Sequence, residues 1–105
     1  MDRSDVIELI PVTYSKDANG IQRATEGEPR EVMCQVDSVS RNEFFEGGRN
    51  GLNPELVFKV FFADYEDERV VEYQNKRYSI YRTYLGRNDM MELYAERKGG
   101  TNGGN

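Results

Sequence analysis

Between Glu55 and Asp64 the chain reads ELVFKVFFAD. In an extended backbone this puts Leu56, Phe58, Val60 and Phe62 on one side and Val57, Lys59 and Phe61 on the other. Both sides are largely apolar. A strand of that kind belongs where both of its faces are covered, or where one face meets a partner.

Segments with the same two-residue period surround it. EVMCQVDS, residues 31–38, puts Val32, Cys34 and Val36 on one face and Met33, Gln35 and Asp37 on the other, the pattern of a half-buried strand. DVIELIPVTY, residues 5–14, has the β-branched character of a first strand, and Pro11 marks an edge or a bend because proline cannot donate to a ladder. SKDANGIQRATEGEP, residues 15–29, contains the turn pair Asn19-Gly20. It reads either as a long loop or as a small hairpin with Ile21 on the return arm, and serves as an exposed connector or a partner-binding arm. Further on come RVVEY (69–73), a turn at Gln74-Asn75-Lys76, the strand RYSIYRTY (77–84), a turn at 85–89, and MMELYAERK. The last closes the fold as a strand with Met91, Leu93 and Ala95 inward, or as a short helix. Six antiparallel strands joined by tight turns predict a mainly β fold, a small antiparallel barrel with one short helix inserted before the central strand.

A chain of 105 residues with 37% hydrophobic content supports one modest core, hence one domain over residues 1–98. GGTNGGN, from Gly99 to Asn105, has nothing to bury and reads as a disordered tail. The formal charge of −5 disfavours wrapping nucleic acid, since affinity for phosphates comes mainly from Lys and Arg displacing counterions. It does not disfavour a protein through which DNA passes. One cysteine and no histidine remove intramolecular disulfides, the usual zinc cages and histidine-based triads. Cys34 reads as a small apolar core residue. MDRSDVIELIPV lacks both the signal-peptide pattern and a membrane span, so the expectation is a soluble, intracellular protein.

The helix is announced by Ser40-Arg41-Asn42-Glu43, a capping box in which the Ser40 hydroxyl accepts from the Glu43 N–H and the Glu43 carboxylate reaches back to the Ser40 N–H. Val39 and Phe44 have the spacing of a hydrophobic staple. Gly47 and Gly48 are expected to stop the helix after roughly two turns, each costing about 1 kcal/mol relative to Ala. So short a helix must dock on something. Phe44 and Phe45 either plug the end of the barrel or are held by a neighbouring subunit. Arg49, Asn50, Gly51 and Asn53 follow in a stretch permissive in backbone angle. GGRNG lacks the Gly-Lys-Ser/Thr ending of a phosphate loop.

Asp64, Tyr65, Glu66, Asp67 and Glu68 gather four carboxylates at one turn. Calcium is considered there, but the EF-hand pattern and its glycine are missing, and a solvated hairpin turn is the preferred reading, which makes these residues a candidate partner-facing turn. On the strand 77–84, Tyr78, Ile80, Arg82 and Tyr84 share a face. Of these, Tyr78, Arg82 and Tyr84, with Arg69, Lys76 and Arg77, make up the alternative reading, a small barrel that binds single-stranded nucleic acid by stacking. Catalysis would need paired carboxylates, Glu43 with Glu46 or those at 64–68, and nothing in their spacing favours it. No catalytic residue, metal or cofactor is expected.

The series SRNEFFEGGRNGLNPELVFKVFFADYEDERVVEYQNKRYSIYRTY followed by MELYAERK resembles the small head–tail joining proteins of long-tailed bacteriophages, the head-closure or stopper group. The likeness runs from Val6 to Lys98. Its most specific parts are E-F-F around Phe44, NPELVFKV, DYEDE and KRYSIYRTY. The resemblance implies a structural virion protein made in the bacterial host cytoplasm and located at the head–tail interface. It implies a β-barrel that assembles with itself into a ring, dodecameric in relatives, below the portal and its adaptor. That ring retains packaged double-stranded DNA, which passes its lumen without sequence-specific binding, and it docks tail proteins; no membrane is involved. It also implies a gating loop, which falls on Asn42 through Asn53 here. The Gly47-Gly48 pair departs from the Ala-richer continuation associated with the family.

Overall fold

The structure is a computed structural model that describes residues 5–97; the expected tail from Gly99 to Asn105 lies outside the described residues. In chain order the elements are β1 (Asp5–Ile10), β2 (Val12–Lys16), β3 (Gln22–Glu26), β4 (Arg30–Ser38), α1 (Arg41–Arg49), β5 (Pro54–Phe61), β6 (Val70–Tyr73), β7 (Lys76–Leu85) and β8 (Met90–Arg97). Short 3-10 turns at Phe62–Asp64 and Arg87–Asp89 follow β5 and precede β8. Six strands close into an antiparallel barrel in the order β1-β4-β5-β8-β7-β6, and β1 pairs with β6 to seal it. Closure leaves the barrel no unpaired strand edge.

The strand over residues 55–61 is indeed the central one, flanked by β4 and β8. Phe58 and Val60 point into the barrel and are fully buried. Phe58 meets Tyr73 and Tyr78 edge to face, with ring centroids 5.5 and 5.6 Å away. Burial of one such ring contributes about 1.5–3 kcal/mol. Around it lie Ile7, Leu9, Val32, Val71, Leu93 and Ala95, drawn from four other strands. Cys34 belongs to the same cluster, and burial, with a smaller effect from Asp5, pushes its thiol up to about 12. β8 is a strand, not a helix, with Leu93 and Ala95 buried and Met91 partly so.

Three boundaries differ from the sequence expectation. The first strand does not run on to Tyr14; at Pro11 the chain leaves the barrel, and β2 and β3 form a separate two-stranded sheet. Of the alternatives for residues 15–29, the hairpin is the one found, turning through Asn19 and Gly20, the latter at φ +80°. Phe62 is not inward. β5 ends at Phe61, the following 3-10 turn breaks the alternation, and Phe61 and Phe62 are both about half exposed. In β7, Arg82 does not share a face with Ile80. The register against β8 slips between Ile80, opposite Ala95, and Arg82, opposite Tyr94. The extra residue of this bulge, Tyr81, turns Arg82 to the outside of the barrel.

Candidate functional site

The segment from Asn42 to Asn53, where the resemblance puts a gate, is mostly helix. Ser40 caps it as expected, its hydroxyl accepting from the Glu43 N–H at 3.1 Å. The other half of the capping box is not made. The Glu43 carboxylate turns to the barrel instead, where Arg82 donates to it from Nη2 at 2.7 Å and Nε at 3.2 Å and the Tyr81 hydroxyl also donates. A two-fold guanidinium contact outcompetes a single backbone N–H because both of its partners are charged.

Gly47 and Gly48 do not stop the helix; it continues through both to Arg49. The stop is Gly51, whose φ of +80° is the left-handed conformation that follows a helix end. The Gly51 N–H donates to Gly48 O at 3.2 Å and the Leu52 N–H to Gly47 O at 2.8 Å, a complete Schellman motif. Asn50 adds a side-chain bond from Nδ2 to Glu46 O at 3.0 Å. Gly47 is a packing glycine, because a β-carbon there would lie 2.3 Å from Cγ of Pro54. The missing side chain lets the helix end sit directly on the start of β5.

Phe44 and Phe45 do not plug the barrel. They are 47% and 57% exposed, and their rings touch each other edge to face at 5.6 Å. Asn42 and Arg49 are also exposed, Arg49 with a loose 3.4 Å contact to Glu46. The helix thus buries Gly47 against Pro54 and turns both phenylalanines outward.

One polar cluster fastens α1 to the barrel wall. Arg82 carries Glu43 on its guanidinium edge and lies 3.7 Å from the centroid of the Tyr94 ring, while the Tyr94 hydroxyl donates to Glu92 at 2.7 Å. The Arg82 hydrogen bonds hold the Glu43 carboxyl below its ordinary range, against a smaller opposing effect of burial. Burial, and then the bond to Glu43, push the Tyr81 hydroxyl up. Sequence reading missed Arg82, Tyr81 and Tyr94 as helix anchors. The one available signal was an arginine assigned to the face of Ile80, where a charge would be costly unless a bulge redirected it.

The turn at 64–68 is only partly the solvated turn expected. Asp64, Glu66 and Asp67 are exposed, but Glu68 is 3% exposed. Arg30 donates to Glu68 Oε2 from Nη2 at 2.7 Å and from Nε at 3.0 Å, and the Glu66 N–H donates to Oε1 at 2.9 Å. Arg30 also donates to Asp64 O, and the Tyr65 hydroxyl to Glu68 O, both at 2.7 Å. Burial raises the Tyr65 hydroxyl to about 12. The inward turn of Glu68 breaks up the carboxylate cluster, and among the described residues no three potential ligands are placed to hold a metal. The residues of the stacking reading are scattered too. Tyr78 is buried in the core, Arg77 is paired with Glu26 and Glu72, Arg82 with Glu43, and Tyr84 is exposed.

In comparison with known proteins, the chain matches no family model and no curated protein. The geometry of the described residues is therefore the ground for a functional reading. No helix among them is long and apolar enough to cross a membrane.

Proposed function

We propose that this chain is a structural, non-enzymatic subunit of a phage head–tail connector, assembling as a head-closure ring below the portal or adaptor, retaining packaged DNA and docking the tail. The observation that carries the reading is the outward-facing Phe44-Phe45 pair on a short helix tethered to a closed barrel. Two adjacent phenylalanines left about half exposed by the described residues suit a surface that is buried on assembly. In a ring each subunit meets its two neighbours through different surfaces, and rotation closes the set. The barrel supplies a rigid wall, and α1, held by the Glu43–Arg82 contact at one end and the Gly47–Pro54 contact at the other, is the element that narrows the passage. An acidic chain lets DNA slide past without binding it, so the block is steric. The Glu43–Arg82 contact and the Gly51 stop give the helix a definite starting state from which it rearranges against sister copies.

The test is to add the purified protein to DNA-filled, tailless capsids that carry portal and adaptor, and to average the vertex by electron microscopy. An added ring below the adaptor supports the reading. A bare vertex, with the protein binding single-stranded DNA in a steeply salt-dependent way, replaces it with the nucleic-acid reading.

A further inference from the structure

Two surfaces outside the helix match each other. The first is the β2–β3 hairpin. Residues 13–16 of β2 and all of β3 are exposed. Antiparallel pairing places Tyr14 beside Ala24 and Lys16 beside Gln22 on one face, and Thr13 beside Thr25 and Ser15 beside Arg23 on the other. The first face is therefore an apolar row followed, one strand step later, by a row carrying Lys16. Tyr14 is 63% exposed, and Lys16 has no ion pair among the described residues. A two-stranded hairpin is marginal in water by itself, so an uncovered apolar face is a cost to the free chain. The hairpin base is nevertheless fixed, by the Gly27 N–H donating to Pro11 O at 2.8 Å and by Arg77 holding Glu26.

The second surface is the outer wall of the barrel over β1 and β4. Val6 lies beside Met33, and one strand step away Glu8 lies beside Glu31. Val6 and Met33 are 47% and 64% exposed, and Phe61 and Met90 extend the apolar row across β5 and β8, lining one shallow groove with Met33. Glu72, opposite Glu8 on β6, extends the acidic row. Like charges placed directly across a ladder destabilise it, and among the described residues neither Glu8 nor Glu31 has a cation within ion-pair distance. The wall thus offers an apolar row and an anionic row, about 7 Å apart by strand geometry. The hairpin offers an apolar row and a cationic one at the same spacing.

We infer that the hairpin of one copy lies on the outer barrel wall of the next, Tyr14 and Ala24 against Val6 and Met33, and Lys16 against Glu31 and Glu8. The barrel has no open edge to extend, so the contact is made by side-chain faces. It is heterologous, hairpin to wall, so it propagates from subunit to subunit and, with a closing rotation, completes a ring. The inference rests on the assembly reading above and names the surfaces that build the ring, distinct from the phenylalanines that narrow it.

Charge reversal tests it on the full chain with Lys16→Glu, Glu31→Lys and the double variant. Association is measured by sedimentation of the free protein and, where that stays monomeric, by the amount of ring formed on filled capsids. Each single reversal is expected to weaken association about tenfold, and the double variant, in which each copy carries both reversals, to recover most of it. The recovery distinguishes an interface from damage to the fold, and Glu31→Lys relieves the repulsion with Glu8 without loss of thermal stability. If single variants form rings as wild type does, or if the double variant is no better than the singles, the hairpin-to-wall contact is wrong while the ring reading survives. If wild type associates in neither setting, both are wrong.

Discussion

The ring of Pro54 occupies the space where a side chain on Gly47 would be. A β-carbon at Gly47 would approach Pro54 Cγ to 2.3 Å and Cδ to 2.9 Å, whereas one at Gly48 meets nothing within 4 Å. Neighbouring glycines in one helix therefore respond oppositely to alanine. Gly48→Ala is expected to stabilise the protein by about 0.5–1 kcal/mol through helix propensity. Gly47→Ala gains the same propensity but must push the helix off β5, for a net loss of about 1–3 kcal/mol. Urea unfolding of the two variants checks this, and equal shifts of the same sign would contradict it.

Glu43 and Arg82 set a pH dependence. The native state holds the Glu43 carboxyl below its unfolded value, so protonation costs the native state more than the unfolded one. The stabilisation is complete above the ordinary carboxylate range and is lost as pH falls through the lower native value. Glu43→Gln, which keeps the shape but not the charge, is expected to cost about 1–2 kcal/mol at neutral pH and to flatten stability across the acid limb. Hydrogen exchange over residues 41–49 is expected to rise in the same variant while the barrel strands keep their protection. Unchanged helix exchange would show that the contact does not hold α1.

Glu68 predicts a larger effect from fewer atoms. Its side chain is buried and depends on Arg30 for compensation, so Arg30→Ala leaves a carboxylate inside the protein without a counter-charge. The expected cost is about 2–4 kcal/mol, reduced from that of a fully buried pair because Arg30 is itself partly exposed. Arg30→Ala combined with Glu68→Gln is expected to recover part of it. Thermal unfolding of the single and double variants decides, and additivity without recovery would remove the pairing from the account.

The barrel was legible because its strands carry a clear two-residue alternation, most of all in residues 55–61. Ser40 and Asn19-Gly20 were legible because caps and turns are local chemistry. The misreadings share one cause, that long-range partners decide what local rules leave open. Local sequence makes Gly47 a helix stop because nothing near it in the chain shows that Pro54 will occupy its side-chain space. Glu43 completed a capping box on paper, but Arg82, 39 residues away, is the stronger partner. A strict alternation puts Arg82 on the wrong face because it does not register a single extra residue, Tyr81. The inward turn of Glu68 depends on Arg30, 38 residues earlier.

Phe44 and Phe45 separate the block of the passage from folding. Each ring is about half exposed, so Phe44→Ser and Phe45→Ser are expected to change unfolding free energy by no more than about 1 kcal/mol. The double variant is expected to lose its function on capsids while its far-ultraviolet circular dichroism and thermal midpoint stay close to wild type. Loss of the fold would instead assign the pair a role within the subunit.

The most direct test of the central claim, a rigid barrel whose tethered helix blocks a passage after assembly, is the release of DNA from filled, tailless capsids, followed by nuclease sensitivity. With saturating wild-type protein the genome is expected to stay protected, and with the Phe44→Ser, Phe45→Ser variant it is expected to leak although the ring is still bound. Release at the same rate with and without bound wild-type protein would contradict the account.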